Sequence, residues 1–176
     1  AWRNEISPRR ALVRVREFTQ AELEHFIDPE TDTPAIERVA DVELTLYPAT
    51  EQEKADGGYI KMTVQTAVES ETVEPWVAYY LGVAQEWYER VGVDMDRFRF
   101  RQHLGGELAH YAADCWDAEA ELGGNWVEIT GFAYRSDYDL TKHGASADEE
   151  FTVFRQYDEP KTVERATVDP DMATLG

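Results

Sequence analysis

Residues 96–135 read DRFRFRQHLGGELAHYAADCWDAEAELGGNWVEITGFAYR, and the fold class turns on them. In 96–103, Arg97, Arg99 and Arg101 alternate with Phe98 and Phe100, the two-residue period of a strand with one apolar and one charged face. Residues 104–122 read as a helix closed by Gly123-Gly124. Residues 125–135, NWVEITGFAYR, return to a strand. Strand, helix and strand in this order predict a chain that mixes helices and strands, an α+β class.

The flanking sequence extends that reading. Upstream, WVAYYLGVAQEWYERVG (76–92) places Val77, Tyr80, Leu81, Ala84, Trp87, Tyr88 and Val91 at helical spacing, and Gly92 supplies the stop. DVELTLYPAT (41–50) and YIKMTVQTAVE (59–69) alternate as strands around a loop at 51–58, while 28–37 is linker-like. Residues 1–27 predict a long hairpin, strand, arginine-bearing loop and strand. Downstream, YDLTKHGAS opens a further helix, and the tail from about 151 reads as a strand and then an extended stretch. There is no internal repeat and no low-complexity segment.

Composition narrows the function classes. The 176 residues carry 17 Lys+Arg against 36 Asp+Glu, a net charge of −19 and a pI near 4.4. At 43% hydrophobic and 12% aromatic this is a globular composition. The chain can bury one sizeable core. No apolar run approaches the length of a membrane span and no signal-peptide pattern opens the chain, so no membrane partner and a cytoplasmic location are expected. One cysteine, Cys115, excludes an internal disulfide and a Cys-rich metal site. Thirteen arginines against four lysines, with this excess of carboxylate, suit a protein of a very salty cytoplasm, against the plainer reading of an ordinary acidic domain.

The positive charge is concentrated. Residues 1–16 hold Arg3, Arg9, Arg10, Arg14 and Arg16 against Glu5 alone. Guanidinium groups suit phosphates and carboxylates, so this cluster points to a local polyphosphate site, against the plainer reading of arginines paired with the chain's many acids. The strongly acidic remainder excludes broad phosphate-backbone binding. Two Glu-x-x-His pairs, Glu22/His25 and Glu107/His110, with His103 on the second face, raise a metal alternative. Five strand-like segments interrupt the long helices such a bundle needs, and hydrogen-bonded histidines are the plainer expectation.

Arg3-Asn4-Glu5, the loop, and then Arg14-x-x-x-Phe18-x-x-x-Glu22 resemble motif 2 of class II aminoacyl-tRNA synthetases. Residues 2–29, WRNEISPRRALVRVREFTQAELEHFIDP, resemble that motif in glycyl-tRNA synthetases of the archaeal and eukaryotic type, and residues 99–143 are similar to the downstream part of the same core. The resemblance implies a fragment of the class II synthetase antiparallel sheet with flanking helices: a motif 2 hairpin at 1–29, an α+β insertion at 30–95, continued catalytic core at 96–150 and the start of a second insertion at 151–176. It implies ATP with Mg²⁺, glycine and tRNA(Gly) as partners, and a homodimer for the full-length enzyme.

The resemblance also implies roles. Arg3 would hold the α-phosphate and the glycine carboxylate as the catalytic arginine, Arg14 the distal phosphates, Phe18 the adenine face and Glu5 the adenine edge. Arg9 and Arg10 would face the tRNA acceptor end. Glu128 would help coordinate ATP-bound Mg²⁺. Glu22 would receive the glycine ammonium, with Arg135 and Gly131 lining the same pocket. Activation of a carboxylate by ATP needs such placement and electrostatic stabilisation. The synthetases' motifs 1 and 3 have no counterpart string here, so the resemblance implies an internal fragment of a longer enzyme, inactive alone. The alternative reading is a non-catalytic paralogue or binding module that uses the arginine-rich hairpin for nucleotide or RNA.

Overall fold

The computed structural model describes residues 21–107 and 112–147, together with 151, 152, 156 and 162. The predicted hairpin at 1–27 therefore lies mostly outside the described residues, and its described end, 21–27, forms no strand. The chain divides into two compact units at Tyr134/Arg135.

The first unit is an α+β layer. Its five strands are β1 (Glu43–Tyr47), β2 (Ile60–Thr63), β3 (Phe98–Gln102), β4 (Asp114–Leu122) and β5 (Asn125–Tyr134), in the spatial order β2-β1-β3-β4-β5. Only the β1–β3 pairing is parallel; the others are antiparallel. The helices are the single turn α1 (Ala49–Gln52), α2 (Val64–Glu69) and α3 (Pro75–Val91). The segment 59–69, expected as one strand, divides at Thr63. Its hydroxyl accepts from the Thr66 amide at 3.2 Å, ending β2 and capping α2. In α3, Pro75 stands at the first turn, the Glu74 carboxylate accepts from Val77 N at 2.9 Å, and Gly92 ends the helix at φ +87°.

The segment 104–122 departs most from expectation. Residues 114–122 form a strand, not a helix, and the helix that backs the sheet is α3. Cys115, Asp117, Glu119 and Glu121 alternate with Trp116, Ala118, Ala120 and Leu122, and that period-2 pattern governs the segment. Gly123 and Gly124 do not close a helix. At φ +60° and +81° they form the two-residue turn of the β4–β5 hairpin.

One face of the sheet and the helices share the core. Leu44, Leu46, Phe98, Phe100, Trp116 and Ala118 pack with Val77, Ala78, Leu81 and Tyr88 of α3. The Tyr88 and Phe98 rings lie 5.0 Å apart, and the Tyr88 hydroxyl bonds Thr130 Oγ1. Close approach is required at Gly82, where an added Cβ would meet side-chain atoms of Val39 and Val64, each at 2.9 Å. In the second unit, α4 (Tyr138–Ala147) forms as the sequence predicts, with Thr141 N donating to Asp137 O at 2.9 Å.

Candidate active site

The face of the sheet away from α3 carries the polar residues. In β3 and just beyond it, the alternation that sends Phe98 and Phe100 into the core turns Arg99, Arg101 and His103 the other way. The paired strand β4 adds Cys115, Asp117 and Glu119, since Arg99 lies opposite Glu119 and Arg101 opposite Asp117.

Strand β5 contributes through an irregularity. Asp117 pairs with Gly131 and Ala118 with Thr130, but Glu119 pairs with Glu128, a register shift between Ala118 and Glu119. Strict alternation would set Glu128 on the side of Thr130, which bonds Tyr88 in the core. The bulge turns Ile129 toward the core and brings Glu128 beside Gly131. A Cβ built on Gly131 would lie 3.6 Å from Asp117 Oδ1 and 3.9 Å from Glu128 Oε1, so two carboxylates converge over a residue with no side chain.

Arginines frame this acidic place. Arg99 is 7% exposed. Its Nε meets Glu119 Oε2 at 2.7 Å, and an η nitrogen donates to the Tyr59 hydroxyl at 2.7 Å. Its guanidinium lies 4.1 Å from the Trp126 ring centre and about 5 Å from those of Tyr47 and Tyr59. Arg101 bonds Glu107 at 2.6 Å. The Leu104 amide, and after it Arg101, holds the Glu107 carboxyl below the usual carboxylate range. His103 Nε2 lies 2.8 Å from Asp117 Oδ2. Burial first, and then Asp117, Asp114 and Glu128, push the Cys115 thiol up to about 11.

The expected site residues fall into three groups. Glu128 and Gly131 are brought together. Glu22 is exposed in the 21–28 segment, and its neighbour in the Glu-x-x-His pair, His25, is committed elsewhere. The His25 Nδ1 lies 2.8 Å from the Tyr80 hydroxyl, and its ring stands edge-on to Trp76 at 4.9 Å. Arg135 begins the second unit and pairs with Asp139 at 2.9 Å. Arg3, Glu5, Arg9, Arg10, Arg14 and Phe18 lie outside the described residues, as does His110. Asp117, Arg99 and Glu119 were not anticipated as site residues, because a helix over 104–122 hides the face they share; the alternation of β4 is the signal that finds them.

The comparisons with known proteins agree along the whole chain. A glycine–tRNA ligase of Methanothermobacter thermautotrophicus is 46% identical over 179 aligned residues, covering 100% of this chain and 32% of that protein. The chain is homologous to glycine–tRNA ligases throughout. The ligase of Pyrococcus abyssi is 45% identical, with 100% of this chain and 31% of that protein covered. An Arabidopsis thaliana relative whose name carries the word cytoplasmic is 41% identical over 99% of this chain and 38% of its own length. The chain thus spans about a third of the ligases it matches. No family model matches it. No described helix is long and apolar enough to cross a membrane.

Proposed function

We propose that the protein to which this sequence belongs activates glycine with ATP and transfers it to tRNA(Gly), in the cytoplasm and as a homodimer. The observation that carries this is identity of 45–46% with archaeal glycine–tRNA ligases over the full length of the chain. The polar face of the sheet supports it: a buried acid on β4 and an acid on β5 converge over Gly131, at a position where any side chain would stand between them.

The reaction sets the roles. Arg3 holds the glycine carboxylate against the α-phosphorus of ATP, and charge developing there is met by its guanidinium. Arg14 holds the distal phosphates and keeps the triphosphate bent, while Phe18 and Glu5 seat the adenine. Glu22 receives the glycine ammonium and Gly131 lines the same pocket, while Arg9 and Arg10 meet the tRNA acceptor end. Carboxylate oxygens are the donors Mg²⁺ takes, so Glu128 fits the magnesium that accompanies ATP. When bound, that ion supplies neutralisation of phosphate charge.

Gly131→Ala in the full-length protein tests the reading. The added methyl meets only ordinary contacts at 3.6 and 3.9 Å, so folding is expected to survive. Glycine-dependent pyrophosphate exchange is expected to fall at least about 10-fold, because a methyl stands between the carboxylates. Unchanged glycine dependence in a folded Gly131→Ala protein would remove the pocket from this face.

A further inference from the structure

We propose that His103, Cys115 and Asp117 together form a site for a thiophilic divalent cation, Zn²⁺ by the chemistry of its donors. One imidazole nitrogen, the Cys115 sulfur and one Asp117 oxygen all lie within 4.8 Å of one another. Around tetrahedral zinc, such donors stand roughly 3.3–3.8 Å apart. The gap closes by side-chain rotation, since all three residues sit on one face of two paired strands. The backbone there is fixed: His103 N donates to Cys115 O at 2.9 Å.

The burial of the cluster points to a cation. Asp117 is 8% exposed, and among the described residues no lysine or arginine reaches it; Arg99 and Arg101 are taken by Glu119 and Glu107. A buried carboxylate without a permanent counter-charge is costly, and a bound cation removes that cost. His103 Nδ1 is also buried and has no hydrogen-bond partner among the described residues, while Nε2 meets Asp117. A cation seated among the three donors would take the place of the Nε2–Asp117 hydrogen bond, with the imidazole nitrogen and an Asp117 oxygen both turned to the ion.

Sulfur, nitrogen and oxygen donors together select zinc over magnesium, which takes oxygen and keeps its water. On binding, the Zn–S bond forms as the thiol proton leaves to solvent. The site does not depend on the ligase reading, because its donors are the same whatever reaction the protein performs.

Co²⁺ is the probe, added to the purified metal-free protein in the presence of excess Mg²⁺. The expected result is one equivalent bound, with the visible bands of a tetrahedral site and a near-ultraviolet sulfur-to-cobalt band, both abolished by one equivalent of Zn²⁺. Losing a ligand is expected to weaken binding by more than the roughly 10–100-fold that an outer-shell partner is worth. Cys115→Ser and Cys115→Ala should each lose the sulfur band, and His103→Asn should weaken binding, with circular dichroism reporting that each variant is folded. Absence of the bands in the unaltered protein overturns the proposal. So does undiminished binding in folded Cys115→Ser, or displacement of cobalt by Mg²⁺, either of which marks a carboxylate patch.

Discussion

Phe98, Phe100, Trp116 and Ala118 face α3, whereas Arg99, Arg101, Cys115, Asp117 and Glu119, each one residue along the same strands, face the other way. The first set is held by packing: Trp116 and Phe100 are fully buried, and the Phe98 and Phe100 rings meet edge-on at 5.0 Å. The second set is held by pairing, with Arg99 on Glu119, Arg101 on Glu107 and His103 on Asp117. Packing is non-directional and tolerates many apolar solutions, while each charge pair needs its own partner in place. A face built from partners can exchange one of them for a ligand. A packed face cannot.

Removing Trp116 separates the two most strongly. Trp116→Ala empties the centre of the packed face and strips the indole N–H that donates to Asp114 Oδ2 at 3.0 Å. A loss of about 3–5 kcal/mol is expected, read as a shift in the urea midpoint. A loss under about 1 kcal/mol would mean that the packed face does not carry the fold.

On the paired face, Arg99→Ala is the next largest. It leaves Glu119, whose side chain is 12% exposed, without its cation, and it opens the aromatic box of Tyr47, Tyr59 and Trp126. Stability is expected to fall by about 3 kcal/mol, because breaking a buried pair leaves an uncompensated charge. Adding Glu119→Gln should restore part of that loss, and the double-mutant cycle measures the coupling. Additivity of the two substitutions would show that the box, not the pair, holds this face.

Legibility in the sequence followed the same division. The helix α3 and the strands β1, β3 and β5 were readable, because apolar spacing records which side of an element meets the core. The fate of 114–122 was missed although its alternation is regular, because a double glycine ends a helix and turns a hairpin equally well; only its φ angles decide. Thr63 hid in the same way, since a strand residue and an N-cap share extended backbone. The convergence of Asp117 and Glu128 over Gly131 was beyond periodicity altogether. It depends on one extra residue at a bulge, and a bulge is set by pairing with the neighbouring strand. Resemblance supplied Glu128 and Gly131 separately, and the register brings them together.

The smallest expected effect contrasts two glutamates. Glu74 caps α3 on the packed side, where burial raises its carboxyl above the usual range despite the Val77 and Trp76 amides that oppose the shift. Glu107, on the paired side, is lowered by the Leu104 amide and Arg101. The signs of their linkage are opposite. A carboxyl raised in the folded state favours protonation there, so its contribution to stability improves as pH falls through its folded value toward the ordinary range. A lowered carboxyl contributes stability above the ordinary range and loses it as pH falls through its folded value. Unfolding free energies of the unaltered protein minus Glu74→Gln should therefore rise on mild acidification, and those minus Glu107→Gln should fall at lower pH. Both slopes are expected to be shallow, Glu107 more so because it is largely solvated and its pairing is screened. Slopes of the same sign would show that burial and pairing do not divide between the two sides.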